Sequence, residues 1–380
     1  SWDLLAQIAE QIRDRCSVSP LKAYRLAYGW TAAQAVAGDL LKHNTTGIVL
    51  LSGYPQIAYP TGAGYTHAVR VTLAVQKRLG FSSLFMSQAP TITTTGTAAL
   101  FDDGTYCVVA LAPTGTALII GGSADIDMGC GAISNSNDPT DSVETNGNAY
   151  NFVANPVAAV GGMPSSINGA EELQPYHIAM PDPYSGLPTA VPSGMSCSNF
   201  NTNRIDQGNA DQDGDGRVDI RPGCYSTFTP GNATYELNPG TYYLNNIDLS
   251  LAGNTILYGR GVTIILTGTS PGSLTMSGNS EMDLVAPTSG TYRNMLIMQA
   301  PGATSGNNNV INGSNLTALD GAIYFPRGDV TISGSSAGST QCAMVVAYTV
   351  EFTGSADLQN DLDDCEAATQ VQGKKVRLIA

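Results

Sequence analysis

From about residue 237 onward the chain repeats one pattern: a short alternating apolar run, a glycine or asparagine corner, then another short run. The clearest repeats are Leu274-Thr-Met-Ser-Gly278, Val310-Ile-Asn-Gly313, Val330-Thr-Ile-Ser-Gly334 and Val350-Glu-Phe-Thr-Gly354. The last three glycines fall 21 and 20 residues apart. That period fits one turn of a solenoid, in which strands too short to stand alone bury a common face by stacking. Residues 237–380 are therefore expected to form a parallel β-helix-like domain.

Upstream the pattern differs. Trp2, Leu5, Ile8 and Ile12 recur at helical spacing. Ser19 and Pro20 then open a second helical stretch carrying Tyr24, Trp30, Ala33, Val36, Leu40 and Leu41, so residues 1–44 read as a helical stem. Between 45 and 165 the period becomes two, with strand candidates at Ile48–Leu51, Ala68–Val75, Thr91–Leu100, Tyr106–Leu111 and Ala117–Ile120. Helices followed by strands predict an α+β domain there. From 166 to 236 periodicity fades into Pro, Gly, Ser, Asn and Asp, which predicts a connector. The class expected for the whole chain is α+β with β predominant.

Charge removes some partners. Lys and Arg total 17 against 31 Asp and Glu, a net charge of -14, so the clustered cations that nucleic-acid binding needs are missing. No run of 18 apolar residues is present to span a bilayer, and Ser1 reads as a cut end.

Seven cysteines stand at 16, 107, 130, 197, 224, 342 and 365, none in a C-x-x-C pair. The last six fall into sequential couples, Cys107–Cys130, Cys197–Cys224 and Cys342–Cys365, although six cysteines allow 15 pairings. Loops of that size are worth roughly 3 to 4 kcal/mol each in the chain-entropy model. They imply an oxidising compartment. Cys16 is left over, to be buried, bonded elsewhere or paired between chains.

Inside the Cys197/Cys224 bracket lies Asp211-Gln-Asp213-Gly-Asp215-Gly216-Arg217-Val-Asp219. Alternate carboxylates supply hard oxygen ligands, Gly216 permits the sharp turn, and Arg217 would offer its backbone carbonyl. The spacing predicts a structural Ca2+ loop, similar to those of extracellular repeat modules such as thrombospondin type 3. It departs from an EF-hand at its twelfth position, Pro222. Asp357, Asp361, Asp363, Asp364 and Glu366 lack such spacing and read as a solvated turn.

Catalytic signatures do not emerge. His43, His67 and His177 adjoin no nucleophile motif, and G-x-S-x-G, H-E-x-x-H and Walker A patterns are missing. Asp283, Asp320 and Asp329 do not share a phase of the repeat, and Arg260, Arg293 and Arg327 are scattered. The expectation is a non-enzyme. The alternatives are a β-helix polysaccharide lyase or hydrolase, and a carbohydrate-binding module stacking sugars on Tyr242, Tyr243 or Tyr292. Arg327-Gly-Asp329 reads as a corner before a strand, and the sequons at Asn44, Asn232, Asn312 and Asn315 as products of an Asn-, Ser- and Thr-rich composition.

Two stretches resemble a known family. One runs through Tyr54-Pro55, Gly64-Tyr-Thr-His-Ala-Val-Arg-Val-Thr72, Phe81-Ser-Ser-Leu-Phe85, Tyr106-Cys-Val-Val-Ala-Leu111 and Gly129-Cys-Gly-Ala-Ile-Ser-Asn-Ser136. The other comprises Leu237-Asn-Pro-Gly-Thr-Tyr-Tyr243, Gly261-Val-Thr-Ile264, Leu284-Val-Ala-Pro-Thr-Ser-Gly290, Gly321-Ala-Ile-Tyr-Phe-Pro326 and Lys375-Val-Arg-Leu-Ile-Ala380. Together they resemble TadE/TadG-like proteins of the bacterial tight-adherence (Flp) pilus system. The resemblance implies an exported, non-enzymatic surface protein, a minor pilin-like or assembly component in adhesion. Its implied partners are other pilus or envelope proteins and surface glycans. The family's hydrophobic N-terminal anchor and von Willebrand D-x-S-x-S site have no counterpart in this sequence.

Overall fold

The computed structural model describes residues 49–62, 64–65, 67–76, 89–147, 150–201, 213–303, 307–312, 318–333, 340–360 and 371–379. Every regular element among them is a strand. In chain order they begin β1 (Gln56–Ala58), β2 (His67–Gln76), β3 (Thr91–Ala110), β4 (Leu118–Gly121), β5 (Asp125–Asp127), β6 (Gly131–Ser134), β7 (Val143–Asn146), β8 (Asn151–Val153), β9 (Val157–Ala159) and β10 (Leu173–Gln174). Next come β11 (Cys197–Asn201), β12 (Val218–Ile220), β13 (Gly223–Thr229), β14 (Thr234–Leu237), β15 (Gly240–Asn245), β16 (Leu249–Leu251), β17 (Ile256–Arg260) and β18 (Val262–Thr267). The series closes with β19 (Leu274–Met276), β20 (Glu281–Val285), β21 (Met295–Gln299), β22 (Asn307–Asn312), β23 (Ala318–Ser333), β24 (Thr340–Phe352), β25 (Asp357–Asn360) and β26 (Val371–Leu378). The α+β class is thereby corrected. Among the described residues the period-two runs between 45 and 165 are strands without accompanying helices, and the stem expected at 1–44 lies outside the described residues.

The chain divides into two compact units, one of residues 1–103 with 373–380 and one of residues 104–372. The first contains an antiparallel sheet, β1 on β2 and β2 on the first half of β3. Its polar face is zipped by side chains: Thr72 and Thr95 hydroxyls meet at 3.1 Å, Arg70 Nε donates to Thr97 and Gln76 to Thr91. Lys374 pairs with Asp102 and Lys375 with the buried Asp103, pinning the C-terminal strand.

The second unit is a parallel β-solenoid with three faces, visited in the same order on each turn. The first face stacks β11, β13, β15, β18, β21, β23, β24, β3, β6, β9 and β10. The second stacks β16, β19, β22, β23, β24, β4 and β7. The third stacks β12, β14, β17, β20, β23, β24, β25, β5 and β8. Subtracting the register partners Tyr242, Ile264, Ile297, Ile323 and Val345 gives turns of 22, 33, 26 and 22 residues. The apolar runs of the four sequence repeats all map to the second face.

Spatial order departs from chain order. The stack begins at β11, runs to β25, and continues without a break in register into β3, so residues 104–174 lie beyond the C-terminal turns. The division expected at 165/166 and the connector to 236 are thus replaced by one solenoid that includes both flanks. At about 4.8 Å per strand, the eleven strands of the first face make an axis of roughly 48 Å.

Residues 175–196 carry the chain back along that axis as a strap. His177 N–H donates to the Ala159 carbonyl beside β9, and Met180 is held through both backbone groups by the Asn135 amide. Farther on, Tyr324 donates to Asp182 at 2.7 Å, Tyr184 approaches Met344 Sδ at 3.2 Å, and the Tyr184 and Tyr324 rings cross edge to face. Tyr292 and Thr267 then donate to the carbonyls of Pro188 and Thr189.

The strap explains the first face. Tyr242, Ile264, Ile297, Ile323, Val345, Val108, Ala132 and Val157 form its inner column. Tyr243, Ile265, Met298, Tyr324, Val346, Val109, Ile133 and Ala158 form the outer one, and all of these residues are buried. Strands covered on both sides need unbroken apolar runs, as in Ile264–Leu266 or Ala343–Ala347, whereas β16, β17 and β20 alternate.

Two outcomes test this packing. A Cβ at Gly328 would stand 2.5 Å from Asn309 Nδ2 and 2.8 Å from Gln299 Oε1, both fully buried. Gly328→Ala should therefore cost about 1–3 kcal/mol in chemical denaturation, and an unchanged midpoint would refute that close packing. Tyr184 has its pKa pushed up to about 12, chiefly by burial and then by the Asp182 charge; the same causes raise Tyr324. Because the folded value exceeds the unfolded one, the stabilisation is fully present below about pH 10 and lost as pH rises towards 12. Tyrosinate absorbance should show a delayed transition accompanied by proteolytic sensitivity near Gly186; titration of all tyrosines near pH 10 would contradict it.

Candidate functional site

The acidic loop enters the described structure at Asp213; Asp211 lies outside it. Gly214 and Gly216 take φ of 83° and 89°, with open space around each, so backbone conformation and not crowding calls for glycine. The carboxylates fold back on their own loop: Asp215 N–H donates to Asp213 Oδ1 at 3.2 Å and Arg217 N–H to Asp215 Oδ1 at 2.8 Å.

The next turn adds a carboxylate that loop spacing does not reveal. Glu236, on β14, is the register partner of Asp219 on β12, and its oxygen joins those of Asp213 and Asp215 within 4.8 Å of one another. The alternation Thr234-Tyr-Glu-Leu237 already turns Glu236 outward, but its position beside the loop depends on the stacking register. Oxygens sharing a Ca2+ at 2.3–2.6 Å lie at most about 5.2 Å apart, so this donor set fits a hard cation. Asp219 stands one strand away on the same face.

Arg217 does more than offer a carbonyl. Its guanidinium lies 3.5 Å from Asp215 and 3.4 Å from Glu236, and covers the Tyr258 ring at 3.9 Å. Arg260 lies 4.4 Å from the same ring centroid and pairs with Asp283 at 2.7 Å. Burial raises the Glu236 pKa and the Asp215 charge adds to it, against the lowering effect of the Arg217 hydrogen bond. The cluster therefore combines hard oxygen donors with an internal counter-ion.

The disulfides staple neighbouring turns. Cys197–Cys224 joins register partners of β11 and β13 with Cα atoms 4.4 Å apart, and Cys107–Cys130 joins β3 to the turn of β6 at 5.9 Å. Both match the sequential couples read from the sequence. Cys342 is also disulfide-bonded, while Cys365 and Cys16 lie outside the described residues.

Other sequence candidates disperse. Tyr242 and Tyr243 are buried, and Tyr292 points its hydroxyl into the strap, which corrects their reading as sugar-stacking platforms. Asp283 and Asp320 occupy the third face and Asp329 the second, where Asp329 accepts from Thr349 within the stack. His177 is buried beside Tyr106. No helix among the described residues is long and apolar enough to cross a membrane. No family model matches this chain, nor does any curated protein or solved structure.

Removing the counter-ion tests the cluster. Arg217 is about one-third exposed, so Arg217→Met should lower the midpoint of chemical denaturation only slightly. The loss should shrink when millimolar calcium is added, because the ion takes over the neutralisation. A loss indifferent to calcium would show that the carboxylates do not hold the ion together.

Proposed function

We propose that this chain is a non-enzymatic protein of the bacterial cell exterior, a rigid wall that works by assembly and adhesion. Its place would be among the minor pilin-like or assembly components of a tight-adherence pilus. The observation that carries the reading is the placement of the disulfides across neighbouring solenoid turns. Such bonds persist in oxidising compartments and fix a stack that no cytosolic redox poise would maintain. The TadE/TadG-like phrases supply the pilus context, with envelope or pilus proteins as partners and surface glycans as targets.

The acidic loop serves this role as a structural Ca2+ site. Asp213, Asp215 and Glu236 would hold the ion, with Asp211 and Asp219 as further oxygen donors. The ion would lock the loop to the next turn of the wall.

Fractionation with thiol labelling should recover the oxidised protein with surface filaments, and deletion of its gene should reduce attachment. Release of oligosaccharides from pectin-like or host glycans by the purified protein would overturn the reading in favour of a β-helix lyase. Calcium at a hundredfold excess over Kd should stabilise the fold by about 2.7 kcal/mol. Chelation should reverse this, and Asp213→Asn with Asp215→Asn should abolish it; equal stability with and without calcium would remove the ion from the proposal.

A further inference from the structure

At one seam in the solenoid, neighbouring turns are not successive in the chain. There β24 and β25 stack on β3, β4 and β5 through Val345–Val108, Val350–Leu118 and Asp357–Asp125, the first pair 237 residues apart by subtraction. The seam is dry: Val108, Val109, Leu118, Ile120 and Ile126 on one side and Val345, Val346, Val350 and Phe352 on the other are all buried.

Both disulfides whose two cysteines are described respect this boundary. Cys107–Cys130 lies within residues 104–174 and Cys197–Cys224 within residues 197–360, so each stapled pair strengthens one block. Within the 104–372 unit, residues 175–196 are the sole chain path between the blocks. Among the described residues the seam is held by parallel hydrogen bonds, apolar contact and the buried Asn360 Nδ2, which approaches Cys107 Sγ at 3.7 Å.

Chain order then creates a choice. The 104–174 block is synthesised long before β24, so its β3, β4 and β5 edges wait with unpaired backbone groups. The β24/β25 edge of another copy offers the same register and the same apolar columns. We infer that the seam is an exchange interface, at which the 104–174 block of one chain stacks on β24 and β25 of a second copy to give a closed reciprocal dimer. With two composite stacks side by side and parallel about a two-fold axis, each strap keeps its course along the first face of the stack on which it starts and ends near β11 of its own chain in the neighbouring stack. The strap's 22 residues reach at most about 73 Å, enough to pass between them, and two-fold symmetry closes the assembly.

A cysteine pair across the seam reads the exchange. Ile119 and Glu351 are register partners on the second face, and neighbouring parallel strands at about 4.8 Å suit a disulfide. The full chain carrying Ile119→Cys and Glu351→Cys is refolded from denaturant, native disulfides retained, at dilute and at high protein concentration, then oxidised and run on a non-reducing gel. Each single-cysteine variant serves as control. A covalent dimer that increases several-fold with concentration, and is missing from both controls, is the expected result. Cross-linked monomer at every concentration overturns the inference, as does a dimer whose 119–351 bonds lie within each chain. Should the double variant fail to fold, wild-type heavy and light chains refolded together and weighed by native mass spectrometry decide the question: mixed dimers support exchange, and monomers alone overturn it.

Discussion

The double burial of the first face is the constraint on which the solenoid depends. A strand packed on one side can alternate; one packed on both sides cannot, because every side chain leaves water. The outer column from Tyr243 to Ala158 would be an exposed apolar stripe along the axis without its cover. The strap provides that cover with partly buried Tyr184, Leu187 and Val191, while tyrosine and threonine hydroxyls of the wall satisfy its carbonyls. Its prolines at 181, 183, 188 and 192 face solvent and ask for no hydrogen bond. Solenoid and strap are therefore mutually required.

Corners solve a second problem, the backbone groups released wherever the chain changes face. Asn309 occupies an inward position yet remains satisfied: Leu274 N–H donates to its Oδ1, and its Nδ2 donates to the carbonyls of Asn307 and Asp329. One buried amide thus ties three successive turns. At another corner Asn254 N–H donates to Asn232 Oδ1, and Asn279 donates to Asn254 Oδ1. Asparagine recurs because its side chain replaces the ladder bonds that a bend removes.

Sequence legibility follows from the range of each interaction. Glycines at 313, 334 and 354 gave the register that the second face adopts, with Ile311, Ile332 and Phe352 stacked in one column. Cysteine couples were readable for the same reason, since 23 or 27 residues is about one turn. What escaped was set by distant partners. Residues 104–165 looked like a separate α+β domain because period two identifies a strand without identifying its neighbour, and Val108 finds its neighbour at Val345. The strap looked like a linker because its anchors, Tyr324, Tyr292 and Thr267, lie far along the chain. Glu236 escaped at the acidic loop, and so did the second role of Arg217, because both arise from stacking one turn on the next.

Charge gives the seam a further property. Residues 104–203 contain no lysine or arginine and eight Asp or Glu, so this stretch carries -8 of the chain's -14. Residues 197–360 carry 13 Asp or Glu against six Arg, so the two blocks that meet at the seam bear net charge of the same sign. Asn151, in the next turn, donates to Asp125 at 2.9 Å and draws that carboxylate towards its own block. The apolar first and second faces hold the seam closed against this repulsion. Repulsion between exposed carboxylates is screened by salt over about 8–10 Å near physiological ionic strength, whereas apolar burial is not weakened by such screening. Ionic strength is consequently the means by which the solvent outside the protein can bias the joint between its two blocks.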